Sequence, residues 1–181
     1  AINVSSPNTV GLRSLQAKEQ LDGLMKEIMK RKQVPVLLKL SPDLDHEQSA
    51  DVAEIVMRHQ VDGLIITNTT LSRPPALDSR LKDEKGGLSG RLLTTLSTEM
   101  IRDFYQLTQG TIPIIGVGGI SSAEDAYEKI KAGASLVQVY TALVYQGPAL
   151  INRILEGLVL LLQKDGFRHI SEAVGCEIAT G

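Results

Sequence analysis

The chain has 181 residues, of which 43% are hydrophobic and 22% charged, and its formal net charge is −2. This composition favours one globular domain and excludes the strongly basic balance expected of a protein whose main partner is nucleic acid. The single cysteine, Cys176, cannot form an internal disulfide, and the longest apolar run, residues 158–162, is too short to span a bilayer. The first residues contain neither an initiator methionine nor a signal peptide, so we expect any targeting sequence or membrane anchor to lie upstream.

Short apolar segments and helical patterns alternate along the chain. Strands are predicted at residues 1–5, 35–40, 63–67, 112–117 and 135–140, and their continuous apolar character is typical of strands buried on both faces. Helices are predicted at about residues 21–28, 46–59, 93–109, 123–132 and 148–164. This alternation predicts an α/β fold with a parallel sheet. Five strands fit either an open doubly wound sheet or an incomplete (β/α)₈ barrel, which normally needs about 250 residues.

Polar or glycine-rich residues follow every predicted strand, at the position where α/β proteins place their sites. These segments are residues 5–9, 41–43, 67–70, 116–119 and 140–141. The connection over residues 68–90 is longer than usual for a compact α/β unit, which predicts that it has a function.

The glycines after the fourth strand have two interpretations. Gly116, Gly118 and Gly119 precede Ser121 and Ser122 at a helix start, a pattern that suits a phosphate cradle built from backbone N–H groups. The alternative is that the glycines only allow tight packing of a helix on the strand. If the cradle exists, the end of the next strand would supply further donors to the same anion.

Lys39 and several amides are further candidates. Lys39 interrupts an apolar strand, as either an edge residue that extends to solvent or a cation beside an anionic ligand. Asn3, Asn8 and Asn68 could bind a planar ligand rich in carbonyl and N–H groups, although each alone is more often a turn or cap residue. Ser6 needs a base or a proton relay to act in acid–base chemistry, and no histidine stands beside it in sequence.

Together these segments resemble dihydroorotate dehydrogenases, with motifs that match in order and in approximate spacing over about residues 1–165. The motifs are Asn-Val-Ser-Ser-Pro-Asn-Thr (3–9), Gly-Leu-Arg (11–13), Lys-Leu-Ser-Pro-Asp (39–43), Thr-Asn-Thr-Thr (67–70), Gly-Gly-Leu-Ser-Gly (86–90), Ile-Ile-Gly-Val-Gly-Gly (114–119) and Gly-Ala-Ser-Leu-Val-Gln-Val-Tyr-Thr (133–141). The resemblance implies a (β/α)₈ TIM barrel with FMN at its carboxyl face. Residues 1–181 are then expected to be the C-terminal part of a single FMN-binding barrel domain, about its last five βα units, and to be inactive alone.

The resemblance also assigns roles to individual residues. Ser6 would remove the C5 proton of dihydroorotate while the C6 hydride passes to the flavin, and Thr9 would relay the proton of Ser6. Residues 8–13 would form a lid that excludes water, and no metal ion is implied. The pyrimidine would be contacted by Asn3, Asn8, Asn68 and Thr69. FMN would be held by Asn3, Lys39, Thr67, Ser89, Gly90, Gly119, Tyr140 and Thr141, with Lys39 stabilising its reduced anionic form.

The subtype depends on one residue. The soluble class has cysteine at the base position, whereas Ser6 indicates the membrane-associated class, which passes electrons to a quinone through an amino-terminal segment absent here. The expected partners are dihydroorotate or orotate, a quinone and the missing N-terminal half of the barrel. The expected location is the mitochondrial inner membrane, with the bacterial inner membrane as the alternative.

The sequence is also compatible with three other functions. One is a soluble-type dihydroorotate dehydrogenase that uses another electron acceptor. Another is a non-redox barrel lyase or synthase for a sugar phosphate, with Lys39 as an imine-forming or phosphate-binding group. The third is a half-barrel interaction module without enzymatic activity.

Overall fold

A computed structural model of the chain describes residues 1–75 and 77–178. Its strands are β1 (Ile2–Asn3), β2 (Leu37–Leu40), β3 (Gly63–Ile66), β4 (Ile114–Val117) and β5 (Ala134–Gln138). All neighbouring strands pair in parallel, and their order in the sheet is their order in sequence. A doubly wound sheet reverses its strand order at a switch point, whereas one arc of a barrel does not. The sheet is therefore a barrel arc.

Helices cover the outer face of the sheet. They are α1 (Lys18–Arg31), α2 (His46–Arg58), α3 (Thr94–Leu107), α4 (Ala123–Lys131), α5 (Thr141–Gln146), α6 (Ala149–Asp165) and α7 (Ile170–Ala173), with 3₁₀ helices at Leu12–Gln16 and Arg91–Leu93. The five predicted strands and the five longer helices are confirmed, with ends that differ by a few residues. The short helices α5 and α7 and both 3₁₀ helices were not predicted, because so few residues show no helical periodicity.

Side-chain caps fix the starts of two helices near the carboxyl edge of the sheet. Asp45 accepts a hydrogen bond from the N–H of Gln48 at 2.8 Å, and the Gln48 side chain accepts one from the N–H of Asp45 at 3.0 Å. Ser122 Oγ accepts a hydrogen bond from the N–H of Asp125 at 3.3 Å at the start of α4. Such caps satisfy N–H groups that have no partner within the helix, so they define where each strand-to-helix loop ends.

The apolar core lies between the sheet and its helices. Leu38 and Leu40 of β2 and Ile66 of β3 are fully buried there. They pack in one cluster with residues of α1, α2 and α3, including Leu21, Val52, Ile55, Ile101 and Phe104. A second cluster joins α4, α6 and α7 through residues such as Ala126, Ile130, Leu150, Ile154 and Ala173.

The opposite face of the sheet is concave and carries one aligned row of side chains. Asn3, Lys39, Ile65, Ile115 and Leu136 are register partners across the five strands. Register partners in a parallel sheet point to the same face, so all five side chains belong to the concave face.

Burial on both faces was predicted for every strand, and the strands differ in this respect. The prediction is confirmed for β3, in which every residue is buried. It is wrong for β5, where Ala134 is buried but Leu136 is 63% exposed. The physical reason is that Leu136 lies on the concave face, away from the core between the sheet and its helices.

Candidate active site

A cavity of about 610 Å³ opens on the concave face, where the strands β2 to β5 end. This volume is in the range that small-molecule and cofactor sites occupy. Seven of the eight residues predicted to hold FMN line the cavity, and Asn3 is the exception. The seven are Lys39, Thr67, Ser89, Gly90, Gly119, Tyr140 and Thr141. The structure thus brings these residues together, and their contact with FMN stays a prediction.

Lys39 faces this cavity. It lies in β2, between β1 and β3, so the alternative of an edge residue that extends to solvent is wrong. Its side chain is half-buried, and burial lowers the pKa of its ammonium group. Within the described part of the chain it has no hydrogen-bond or ion-pair partner. A cation that faces a cavity without a carboxylate beside it suits an anionic ligand.

The two glycines after β4 form part of the cavity wall and adopt conformations that glycine favours. Gly118 has φ 126° and Gly119 has φ 77°. Their carbonyl oxygens accept hydrogen bonds from Ser97 Oγ at 2.9 Å and Thr94 Oγ1 at 3.0 Å. Gly119 therefore packs tightly on α3, since a Cβ there would lie 2.1 Å from Thr94 Oγ1. The N–H groups of both glycines have no protein acceptor among the described residues, as an anion cradle requires.

The residues predicted to bind the substrate lie at one side of the cavity. Asn68 and Thr69 line it, and Asn68 Nδ2 donates to Asn3 Oδ1 at 3.3 Å and to Ser5 Oγ at 3.1 Å. Asn8 lies against the long loop, since a Cβ on Gly86 would be 3.3 Å from Asn8 Oδ1. The loop after β1 therefore packs against the loop after β3, as a shared substrate site requires.

Ser6 and Thr9 lie outside the cavity lining. Ser6 is half-buried, and its Oγ accepts a hydrogen bond from the N–H of Asn8 at 3.3 Å. Thr9 is exposed, and its carbonyl accepts a hydrogen bond from the N–H of Leu12 at 3.2 Å. No hydrogen bond joins the Ser6 and Thr9 side chains in the described structure. The proton relay between them stays a prediction.

Arg13 makes a connection that the sequence did not reveal. Its Nη1 lies 2.6 Å from Asp43 Oδ2, its Nε donates to Ser5 O at 3.1 Å, and its Nη2 donates to Thr69 O at 3.0 Å. Asp43 in turn accepts a hydrogen bond from Thr70 Oγ1. One guanidinium group therefore ties together the loops after β1, β2 and β3. The sequence showed Arg13 only as part of the predicted lid, because its partners are far away along the chain.

Several cavity residues were also missed. They are Arg91, Leu93, Ile120, Gln138, Ala142, Tyr145 and Gln146. These residues belong to no polar strand-end pattern, and Tyr145 and Gln146 lie in α5, a helix too short to predict.

Comparison with known proteins identifies the family. The sequence profile described as "Dihydroorotate dehydrogenase" matches residues 1–162. The chain belongs to the dihydroorotate dehydrogenase family.

Two curated dihydroorotate dehydrogenases illustrate the match. "Dihydroorotate dehydrogenase (quinone)" of Parvibaculum lavamentivorans is 50% identical over 179 residues, which cover 98% of this chain and 51% of the relative. "Dihydroorotate dehydrogenase (quinone), mitochondrial" of Mus musculus is 51% identical over 183 residues, which cover 97% of this chain and 46% of the relative. The chain thus spans about half the length of the curated relatives it matches.

A solved dihydroorotate dehydrogenase structure confirms the fold class. The crystal structure of ligand-free type DHODH from Eimeria tenella matches with a TM-score of 0.92 and 37% sequence identity, over 97% of this chain and 55% of that chain. The five βα units of this chain therefore form part of a TIM barrel.

Within residues 1–75 and 77–178, no helix combines the length and apolar character needed to cross a membrane. The same residues contain no group of three or more His, Cys, Asp or Glu side chains arranged to hold a metal ion.

Proposed function

We propose that the complete protein oxidises dihydroorotate to orotate with FMN as its cofactor and a quinone as its final electron acceptor. The observation that carries this proposal is one cavity in which residues from five separate sequence motifs meet beside the loop that bears Ser6. Family membership and the names of the curated relatives support the same function.

The cavity residues fit the chemistry of FMN. Among the described residues, Lys39 has no ion-pair partner, and the N–H groups of Gly118 and Gly119 have no protein acceptor. Thr141 Oγ1 donates to Ser89 Oγ at 3.0 Å, so two hydroxyl groups at the rim are available to a ribityl chain or phosphate. We infer that Lys39 lies at the flavin ring and the glycines at the phosphate. When bound, FMN supplies the two-electron acceptor that no protein side chain provides.

The protein residues then handle the proton and the geometry. Ser6 would take the C5 proton of dihydroorotate, and the C6 hydride would need the two-electron acceptor that FMN supplies, so that the C5–C6 double bond of orotate would form. The pyrimidine is held by the amide and hydroxyl groups of Asn3, Asn8, Asn68 and Thr69. Arg13 keeps the loop of Ser6 against the loop of Asn68. Residues 8–13 then act as the lid that excludes water.

The quinone assignment rests on Ser6 at the base position and on relatives whose names include "(quinone)". We infer that residues 1–181 are the C-terminal part of a single FMN-binding domain, completed by upstream strands and a quinone-binding segment. The mitochondrial relatives of Mus musculus and Arabidopsis thaliana favour the mitochondrial inner membrane as the location of the whole protein, with a bacterial inner membrane as the alternative.

Purification of the complete protein tests this function directly. We expect a yellow protein that releases FMN on denaturation, whose flavin absorbance is bleached by dihydroorotate without oxygen and restored by a soluble quinone analogue. A colourless protein would exclude the redox function and favour the sugar-phosphate lyase or synthase. Bleaching that only a water-soluble, non-quinone acceptor reverses would indicate the soluble class.

We expect Lys39→Met to lower the midpoint potential of bound FMN or to abolish FMN binding. A nearby ammonium stabilises the anionic reduced flavin by Coulomb attraction in a poorly solvated site. A loss of about 1.4 kcal/mol lowers a two-electron potential by about 30 mV. Potentiometric titration measures the shift, and Lys26→Met, on an exposed position of α1, is the charge-matched control. Full FMN occupancy with an unchanged potential would contradict this role.

We expect Gly119→Ala in the complete protein to abolish FMN binding. The new Cβ would lie 2.5 Å from Thr94 N and 2.6 Å from Thr94 Cα, so the cradle has to shift away from α3. Gly166→Ala is the matched control, because Gly166 has φ 79° and no described atom lies within 4 Å of a Cβ there. The two positions have nearly the same positive φ, and only Gly119→Ala adds a clash. Equal FMN content after dialysis in the two variants would show that the cradle position does not matter.

A further inference from the structure

Lys129 of α4 is a fully buried lysine that neither the motifs nor the proposed reaction explains. Its side chain has no exposed surface, and its Nζ donates to Thr94 O at 3.2 Å, Ser97 Oγ at 2.7 Å and Thr98 Oγ1 at 2.8 Å. An ammonium group has three N–H donors, so these three oxygens match the protonated form. None of the three partners carries a charge, and burying an uncompensated ammonium group is costly and rare.

The partners of Lys129 do not need the lysine to satisfy their own hydrogen bonds. Thr98 Oγ1 donates to Thr94 O at 2.9 Å, and Ser97 Oγ can donate to Gly118 O at 2.9 Å. An apolar side chain at position 129 would therefore leave neither hydroxyl group without an acceptor. Hydrogen bonding within the core gives no structural reason for a buried charge at this place.

The same partners lie directly behind the glycine cradle. Ser97 Oγ accepts from Lys129 Nζ and also contacts Gly118 O. Thr94, whose carbonyl accepts from Lys129, has its Oγ1 at hydrogen-bond distance from both Gly119 O (3.0 Å) and Arg91 O (2.8 Å). Both glycines line the cavity, and their N–H groups have no protein acceptor in the described part of the chain. Two short hydrogen-bonded paths therefore lead from the buried ammonium to the cavity wall.

We propose that Lys129 is a positioning residue for a phosphate monoester bound in the cavity. Its ammonium group fixes Thr94 and Ser97, which hold the Gly118–Gly119 backbone so that its free N–H groups face the anion. Its positive charge also attracts the anion through a protein interior that screens charge poorly. This inference rests on the proposed function, because it takes the anion to be the phosphate of FMN.

The charge required for this role is present at neutral pH. Burial lowers the pKa of Lys129 to about 8, while Asp125 and Glu128 of the same helix oppose the shift. From α3 the ammonium group faces two hydroxyl groups and one carbonyl, all neutral. The protonated form therefore predominates at pH 7.

Flavin binding to the complete apoprotein at pH 7 tests the proposal. Riboflavin lacks the phosphate of FMN, so the ratio of the two dissociation constants, measured by flavin fluorescence, reports on the phosphate site alone. We expect Lys129→Met to weaken FMN on the order of tenfold and to leave riboflavin binding unchanged. Lys131→Met removes the same charge two residues away, where Nζ pairs with Glu177 at 2.8 Å, and is expected to change neither constant.

Ser97→Ala provides an independent variant that keeps the lysine and removes its link to Gly118 O. It is expected to cause the same selective loss of FMN affinity. Ser97→Ala therefore tests the positioning role of Lys129 even if Lys129→Met does not fold. The melting temperature of the Lys129→Met apoprotein is expected to equal or exceed that of wild type, because a buried charge has been removed. Equal weakening of FMN and riboflavin in both variants, or no weakening in either, would overturn the role of Lys129. A wild-type protein that binds FMN no more tightly than riboflavin would instead refute the proposed phosphate site itself.

Discussion

Replacing Ser6 with alanine in the complete enzyme is expected to slow flavin reduction by dihydroorotate on the order of 10²- to 10⁴-fold, while FMN stays bound. Ser6 lies on the loop after β1, outside the residues that line the cavity, so its loss should leave the cofactor site intact. The Asn68 side chain holds this loop through Asn3 and Ser5, not through Ser6. The substitution therefore removes the base and preserves the scaffold that positions it.

Stopped-flow absorbance of the bound flavin measures this effect. Ser171→Ala, at an exposed position of α7, is the control for a serine-to-alanine change and should reduce its flavin at the wild-type rate. Ser6→Cys should retain partial activity with its pH optimum moved to lower pH, because a thiol ionises far more readily than a hydroxyl group. Flavin reduction at the wild-type rate in Ser6→Ala would show that Ser6 is not the base.

The fold and the cavity-facing position of Lys39 follow from patterns that the sequence shows locally. Five apolar segments separated by helical periodicity predict a parallel α/β sheet, and parallel strands bring their carboxyl ends to one edge. Lys39, Thr67, Gly119 and Tyr140 therefore converge because each stands at or just beyond the end of a strand. Their convergence needs no knowledge of long-range contacts.

The supporting contacts could not be predicted in the same way. Arg13 meets Asp43 across 30 positions and Thr69 across 56, and Lys129 meets Ser97 across 32. Such pairs depend on how helices and loops pack, and neither residue type nor spacing indicates them. Lys129 in particular lies in an amphipathic helix whose other lysine, Lys131, is partly exposed, yet Lys129 itself is fully buried in the fold. These long-range contacts hold in place the loops and the glycine backbone that carry the motif residues.

Residues 1–181 expressed alone are expected to bind no FMN stoichiometrically and to have no turnover. β1 and β5 are the two edges of the sheet, and each has backbone N–H and C=O groups that a closed barrel would pair. Leu136 on the concave face of β5 is 63% exposed, and Tyr140 and Tyr145 beside the cavity are 79% and 84% exposed. This apolar surface and the two open edges favour aggregation of the isolated chain.

Size-exclusion chromatography with simultaneous detection of flavin absorbance tests this expectation. The isolated chain should elute as aggregates or as an expanded, colourless species, whereas the complete protein should elute as a compact yellow one. Mixing the isolated chain with a separately expressed upstream half should restore FMN binding, if the two halves close the barrel along both edges. The concave row from Asn3 to Leu136 would then gain the side-chain layers that alternate strands of a barrel build together. A monomeric, yellow and active species of 19.6 kDa would show instead that five strands suffice for the site.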